Sequence, residues 1–288
     1  FRRCVPPASE HIMNAEAIGA RALAEARPEV FWLDRPERPE PSPCLDTDLD
    51  ADLVVVGGGF TGLWTALTAA EADPGRSIVV LEADTIAFGA SGRNGGFCEA
   101  SLTHGLENGV AHWPDEVDTL LRLGDGNLQG LLDVISRHGI DCSPEPTGAL
   151  NVAVAPWQAD SLADSATLHE AHGLSVTLLD APSTRSEVDS PTYLGGIWHH
   201  DGVVMLDPAR LAWGLRRAAE SLGVRFFENT SARSIEAVGG GGTTGVRIRT
   251  DAGSVAASRA VVATNAFHPP IRRIRRYIAP VYDHVLVT

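Results

Sequence analysis

The chain has 288 residues, 44% of them hydrophobic, and a formal net charge of −14. Its length and apolar share suffice for one large domain or two modest ones, and its acidic balance argues against a nucleic-acid partner, whose phosphates it would repel. No apolar run approaches the roughly 18 residues of a membrane-spanning helix, and Phe1-Arg2-Arg3-Cys4-Val5-Pro6-Pro7 has no apolar region behind its arginines, so a cytoplasmic protein is expected. Residues 1–12 are expected to lie upstream of a natural start at Met13. Residues 14–26 have helical spacing at Ala17, Ile18, Ala22 and Leu23 and stop before Pro28. Residues 35–50, rich in proline and acids, are expected to be a linker with little to bury.

The centre of the sequence is residues 52–97. Leu53 to Val56 is a short apolar run bounded by turn residues, which suits a buried parallel strand. Gly57, Gly59 and Gly62 then fit G-x-G-x-x-G: the first permits a tight turn, the second lets backbone approach a pyrophosphate, and the third lets helix pack on strand. Residues 61–72 are rich in Ala and Leu and stop at Asp73-Pro74-Gly75, so the helix amino end would aim its free N–H groups at the phosphates. Residues 77–81 are the next strand, and Glu82 ends it, about 20 residues beyond Gly62, where an acid can accept both ribose hydroxyls and would repel a 2′-phosphate. Strand, glycine turn, helix, strand and acid together predict a dinucleotide site. A nicotinamide domain would continue with another helix and strand, but residues 87–96 form a second loop of small residues, suited to an extended ligand.

Further along, residues 115–137 show a helical pattern with a possible break at Gly124-Asp125-Gly126, and Gly139 caps it. Residues 147–154 alternate as a half-buried strand, and residues 158–172 form another helix. Residues 190–202 are an aromatic and polar segment of the kind that lines pockets. Its adjacent His199 and His200 would point to opposite faces of a strand, so no metal site is expected. Asp207 and Pro208 start an amphipathic helix with Leu211, Leu215, Ala218, Ala219 and Leu222 on one face and Gly223 past its end. Residues 224–227, 232–238, 245–250 and 254–256 read as strands, residues 239–242 as a hairpin loop, and residues 260–266 as a separate buried strand. The basic run Arg272-Arg273-Ile274-Arg275-Arg276 is read as a solvated turn. Cys4, Cys44, Cys98 and Cys142 are far apart and are expected to be free thiols.

Residues 57–63 (GGGFTGL), 79–83 (VVLEA) and 88–96 (FGASGRNGG) together resemble the D-amino-acid oxidase-like family of FAD-dependent oxidoreductases, within it the gamma-glutamylputrescine oxidase-like branch. The resemblance implies an α/β fold: a Rossmann-like FAD-binding domain of the glutathione-reductase type with an inserted α+β substrate domain. It implies an N-terminal helix and linker over 1–47, a discontinuous FAD-binding domain over 48–104 and 202–268, and a partial substrate domain over 105–201 and 269–288. It makes Gly57, Gly59, Phe60, Thr61, Gly62, Glu82 and Ala83 contacts of FAD, and brings Ala90, Ser91, Gly92, Arg93, Asn94, Gly95 and Gly96 past the pyrophosphate towards the flavin. It places Ala232 at the adenine and Thr264 and Asn265 at the closing strand.

The implied reaction is oxidation of the C–N bond of an amine or amino acid. Hydride leaves the carbon beside a neutral amine for the flavin, the imine is hydrolysed, and dioxygen or an electron carrier takes the electrons; with dioxygen the product is hydrogen peroxide. The substrate is expected to be a small-molecule amine, among them gamma-glutamylputrescine, other polyamine derivatives, secondary amino acids and D-amino acids. His104, Tyr193 and Trp198 are the pocket candidates, and Cys98 is read as a buried loop thiol, not a flavin attachment point. Proteins of this family run on beyond the point corresponding to residue 288, so the chain is read as truncated at its carboxy end. Two other readings stay open: an NAD-dependent dehydrogenase, which would need neither the 90–96 loop nor the 260–266 segment, and a nucleotide-binding chain without catalysis. Nothing in the sequence decides the oligomeric state.

Overall fold

A computed structural model of the chain describes residues 21, 24–25, 29–240, 243–267 and 271–281. The expected helix over residues 14–26 lies largely outside them, as do residues 282–288 of the carboxy-terminal segment.

Strand β1 (Leu49–Val56) lies at the middle of a sheet, because every side chain from Leu53 to Val56 is buried and such a run needs cover on both faces. It pairs in parallel with β2 (Ile78–Leu81), Val54 facing Val79 and Val56 facing Leu81. Between them runs helix α1 (Phe60–Ala72), the crossover that a parallel pair requires. Leu53 and Val55 turn to the face covered by α1 and by a second helix, through Leu63, Ala66, Leu67 and Ala70 from the first and Leu211, Leu215 and Ala219 from the other. Val54 and Val56 turn to the opposite face, onto Leu45, Ile248 and Val255.

The rest of this sheet comes from far along the chain. After helices α2 (Leu106–His112) and α3 (Val117–Arg137), strand β4 (Ala149–Ala153), helix α4 (Pro156–Ala171), strand β5 (Val176–Asp180), helix α5 (Ala181–Glu187) and strand β6 (Gly195–His199), the covering helix α6 (Pro208–Ser221) appears. Asp207 caps α6 by accepting from the amides of Ala209 and Arg210 at 3.0 Å each. Then come β8 (Arg225–Phe227), β9 (Ser234–Gly240), β10 (Thr243–Arg249) and β11 (Ser254–Val262). Among the described residues the sheet order is β8-β2-β1-β11-β10-β9, with β8, β2, β1 and β11 parallel and β10 and β9 added antiparallel. Strands β4, β6 and β5 form a separate antiparallel sheet with β6 in the middle. A short antiparallel pair, β3 (Phe97–Glu99) with β7 (Val203–Met205), links the two regions.

Several expectations are corrected here. Helix α3 is unbroken: Gly124 and Gly126 stay helical because Gly124 is the buried residue where the helix crosses the carbonyl of Ala100, and a Cβ there would collide with that oxygen. Gly239 and Gly240 are not loop but ladder, opposite Thr244 and Thr243. Residues 254–262 form one strand, since nothing between Ala256 and Ala260 breaks it, whereas Thr264 and Asn265 fall in the turn that follows. Residues 29–47 are turns at 31–33 and 36–37 followed by coil, and the segment packs on the core. Leu33 and Leu45 are buried, Leu45 N donates to Thr230 Oγ1 at 3.0 Å, and Arg35 pairs with Asp207 at 3.1 Å. The composition hid this because two well-placed leucines suffice.

Gly124→Ala is expected to cost about 1–3 kcal/mol, as for overpacking. Gly126→Ala, with nothing within 4 Å of its Cβ position, is expected to stabilise by about 0.5–1 kcal/mol through helix propensity. Urea unfolding of the two variants beside the parent measures the opposite signs.

Candidate functional site

The parallel strands all end at one edge of the sheet, where ligands of open α/β sheets bind. There Gly57, at φ +115°, makes the turn into α1, and a Cβ on it would strike the Ala263 carbonyl. Gly62 lies so close to the Gly57 carbonyl that a Cβ would collide with it, which is the close helix–strand packing expected of the third glycine. Gly59 is the N-cap of α1 and offers no side chain to it. The hydroxyl of Ser91 sits there instead, accepting from Phe60 N at 2.9 Å. Its own proton remains to be given to an anion at the helix end.

Glu82 stands at the end of β2 with both carboxylate oxygens engaged: Oε2 accepts from Gly58 N at 2.6 Å and Oε1 from Asp84 N at 2.9 Å. Burial raises its pKa above the ordinary carboxylate value; the two amides counter that, and Asp84 and Glu228 add to it. Beside it the side chain of Glu228 is almost fully buried, taking Ser42 N at 2.5 Å, Ile86 N at 2.6 Å and the Arg216 guanidinium at 2.9 Å.

These groups enclose a cavity of about 380 Å³ lined by Gly57, Gly59, Glu82, Ala83, Ala90, Ser91, Ala232, Thr264 and Asn265, all expected from sequence. Phe88 and Gly89, from the second loop expected to run along an extended ligand, line it too, as do Thr230, Arg233 and Phe267, which were not foreseen. An adjoining cavity of about 460 Å³ shares Gly59, Ser91, Thr264 and Asn265 and adds Phe60, Thr61, Ile274 and Ile278. Gly92 to Gly96 line neither. Gly92 is packed where a Cβ would strike the Ala87 carbonyl, and Gly96, at φ +80°, meets the Leu206 carbonyl likewise. Asn94 builds the loop: its amide donates to the carbonyls of Ala90 and Ser91, its oxygen accepts from Gly96 N, and its carbonyl accepts from Trp32 Nε1. Arg93 turns back onto Phe88. The second loop thus divides into a lining half and a bracing half.

The three pocket candidates are not brought together. His104 is exposed in a turn at φ +57°. Tyr193 is half-buried, with its carbonyl accepting from Arg185 Nε at 3.0 Å. Trp198 lies in β6 between Leu150 and Thr177. On that strand the neighbouring His199 lines a different cavity, of about 250 Å³, with Glu107, Asn151 and His169. Burial, followed by the facing His169, pushes the pKa of His199 down, so it is neutral at neutral pH. Burial raises Glu107, but the Ser165 hydroxyl and its own amide, together with the charge of the two histidines when they are protonated, bring its pKa below the ordinary carboxylate value. Cys98 is on strand β3 rather than in a loop, half-buried, with its thiol pushed up by burial; Cys142 is pushed to about 11 by burial. Among the described cysteines, Cys44, Cys98 and Cys142 are free.

The profile of the family described as DAO, FAD dependent oxidoreductase, matches residues 52–288. The chain belongs to the DAO family of FAD-dependent oxidoreductases. It is 37% identical over 231 residues to the gamma-glutamylputrescine oxidoreductase of Escherichia coli (strain K12), covering 79% of this chain and 52% of that protein. It is 30% identical over 253 residues to the probable oxidoreductase OrdL of Rhizobium meliloti (strain 1021), covering 83% and 55%. The chain therefore spans about half the length of the curated relatives it matches. Among solved structures, glycine oxidase from Geobacillus kaustophilus aligns with a TM-score of 0.61 at 22% identity, over 76% of this chain and 56% of that one, which shows the shared fold. The DAO family is FAD-dependent, and the cavity fits its cofactor: Gly57 and Gly59 line it, and a Cβ on Gly57, Gly59 or Gly62 would strike protein atoms and force the turn open; a helix end and a hydroxyl face the cavity, and Glu82 lies at the strand end where a ribose would be held. The family rules out the reading as an NAD-dependent dehydrogenase. Among the described residues no helix is long and apolar enough to cross a membrane.

A raised pKa means that the folded chain holds the Glu82 proton more tightly than the unfolded one. That stabilising contribution is complete below the unfolded value and is lost as pH rises through the folded value. Ribose hydroxyls need the ionised form as acceptor, so FAD affinity is expected to climb as pH rises from about 4.5 through the elevated pKa of Glu82. Glu82→Gln should abolish that slope and weaken FAD roughly 10- to 100-fold, as for lost hydrogen bonds to a charged acceptor. Flavin fluorescence titrations across pH measure both.

Proposed function

We propose that this chain forms the FAD-binding part, and one part of the substrate-binding part, of an oxidoreductase that oxidises the C–N bond of an amine or amino acid. The reading includes the division into a FAD-binding domain over 48–104 and 202–268 and a substrate part over 105–201 and 269–288. The observation that carries it is the cavity at the strand ends, which joins the G-x-G-x-x-G turn, Glu82, Ala90, Ser91, Ala232, Thr264 and Asn265 around one space. The 37% identity to a gamma-glutamylputrescine oxidoreductase supports an amine of that kind, a polyamine derivative or secondary amine, as the substrate class.

FAD, when bound, supplies acceptance of a hydride from the carbon beside the amine nitrogen. What the chain contributes is binding and orientation. Gly57, Gly59 and Gly62 let the backbone close on the diphosphate, and the amino end of α1 with the Ser91 hydroxyl meets its charge. Glu82 accepts the ribose hydroxyls, and the 230–232 segment faces the adenine. Phe60, Thr61, Ile274 and Ile278 line the continuation of the groove. Dioxygen is the acceptor in this reading, with hydrogen peroxide as product, and the location is the cytoplasm.

A second reading, a chain that binds nucleotide without turning over by itself, is favoured by one observation: His104, Tyr193 and Trp198 line neither cavity at the strand ends. The visible spectrum of the purified chain, before and after FAD addition, followed by peroxide release on gamma-glutamylputrescine, putrescine, sarcosine and D-amino acids, separates the two. Bound yellow flavin with peroxide on an amine is expected. Bound flavin without turnover, tried also with an artificial electron acceptor, would select the second reading, and failure to take up FAD would sink both.

A further inference from the structure

The family resemblance implies that Arg93 contacts the flavin, yet its side chain turns back onto Phe88. Its Nε donates to the carbonyl oxygen of Phe88 at 2.6 Å. Its guanidinium carbon lies 4.6 Å from the centre of the Phe88 ring. One side chain therefore holds both the backbone and the ring of the same residue, five positions earlier, and Arg93 itself lines neither cavity. Phe88 does line the cavity, immediately before Gly89, Ala90 and Ser91.

Phe88 has reason to need holding. It follows Ala87, a buried residue at φ +67°, where a non-glycine backbone is strained. The Phe88 amide donates to the Thr85 carbonyl at 3.0 Å, within the same turn. The loop then enters the short helical turn Ala90–Gly92, from which Ser91 reaches the amino end of α1. On the far side Phe267 closes in on Gly89. The wall that carries Ser91 is thus a strained loop held at Ile86 N by Glu228, at Ala87 N by the Gly58 carbonyl and at the Ala90 and Ser91 carbonyls by Asn94, with Arg93 the side chain that holds Phe88 between them.

We propose that Arg93 is a positioning residue for the cofactor site: it acts on FAD through Phe88, by fixing the 87–91 wall, and not by contact with the flavin. A guanidinium suits this task because it can donate in its plane while its face covers a ring, which an ammonium cannot do in one rigid unit. The proposal rests on the FAD-binding reading above.

The test is a double-mutant cycle on FAD affinity, read by flavin fluorescence, with Arg93→Ala, Phe88→Leu and the two combined, and with Arg93→Lys as the conservative variant. Each single change is expected to raise the FAD dissociation constant roughly 3- to 20-fold, the size of a partly exposed cation–π contact. The double variant should be no weaker than the poorer single one, and Arg93→Lys should rescue little. Melting of the FAD-free variants should stay near the parent, which separates positioning from a general loss of fold. A double variant whose fold-change equals the product of the singles would overturn the proposal in favour of an independent contact by Arg93. So would an Arg93→Ala variant that binds FAD like the parent, or one whose FAD-free form melts far lower than that of the parent. Failure of the parent chain itself to bind FAD would instead remove the reading beneath it.

Discussion

Glu228 is the point on which the site depends. Its carboxylate lies in the interior where an ionised group is costly, and it is kept there by a guanidinium and two backbone amides. Those three donors come from different places: Arg216 from the helix over the sheet, Ser42 from the amino-terminal coil and Ile86 from the loop after β2. The backbone around Glu228 repeats the connection, since Phe227 and Thr230 bracket Glu82 through its amide and carbonyl, and Asn229 N reaches Asp84. Removing the carboxylate would leave Arg216 with Glu220 as its carboxylate partner and three chain segments without their common anchor. The geometry of the Glu82 side of the cavity is thus settled by a residue that does not line it.

The same arrangement explains why the strand ends are a binding site. Parallel strands β8, β2 and β1 finish together, and each is followed by a loop held from elsewhere: the glycine turn by Ala263, the loop after β2 by Glu228, and the 228–232 crossing by Leu45 and Glu82. The loops need not supply their own rigidity. That frees them to present small residues and open amides to a ligand, which is what a long, charged, extended cofactor requires.

Much of this could be read from the sequence, and the reasons are local. The G-x-G-x-x-G turn, the apolar runs of β1 and β2 and the Asp207-Pro208 helix start each carry their signal within a few residues, and all fell where expected. What failed to show was long-range. Glu228 looks like any acid after an aromatic strand; Leu33 and Leu45 look like strays in a polar coil; and Gly124 looks like a helix breaker until the carbonyl of Ala100 is seen beneath it. The second loop was half legible, because glycines that open space for a ligand and glycines that let the chain pack on itself have the same letter. Gly89 lines the cavity beside Ala90 and Ser91, whereas at Gly92 and Gly96 the place of a Cβ is taken by protein backbone. The pocket candidates rested on residue type alone, and an aromatic or a histidine on a strand says nothing about which face it will take.

The pairing of β1 with β11 has a consequence for how the chain comes into being. The central strand of the large sheet, residues 49–56, has its partner at residues 254–262, while the smaller sheet closes entirely within residues 149–199. On a growing chain the smaller sheet can therefore complete its pairing first, with the early apolar strands waiting, half covered, for a partner made some two hundred residues later. Until then β1 lacks one of the two neighbours that cover its edges in the finished sheet. The long-range pairing that closes the site in the finished molecule is also the pairing that a growing chain can make last.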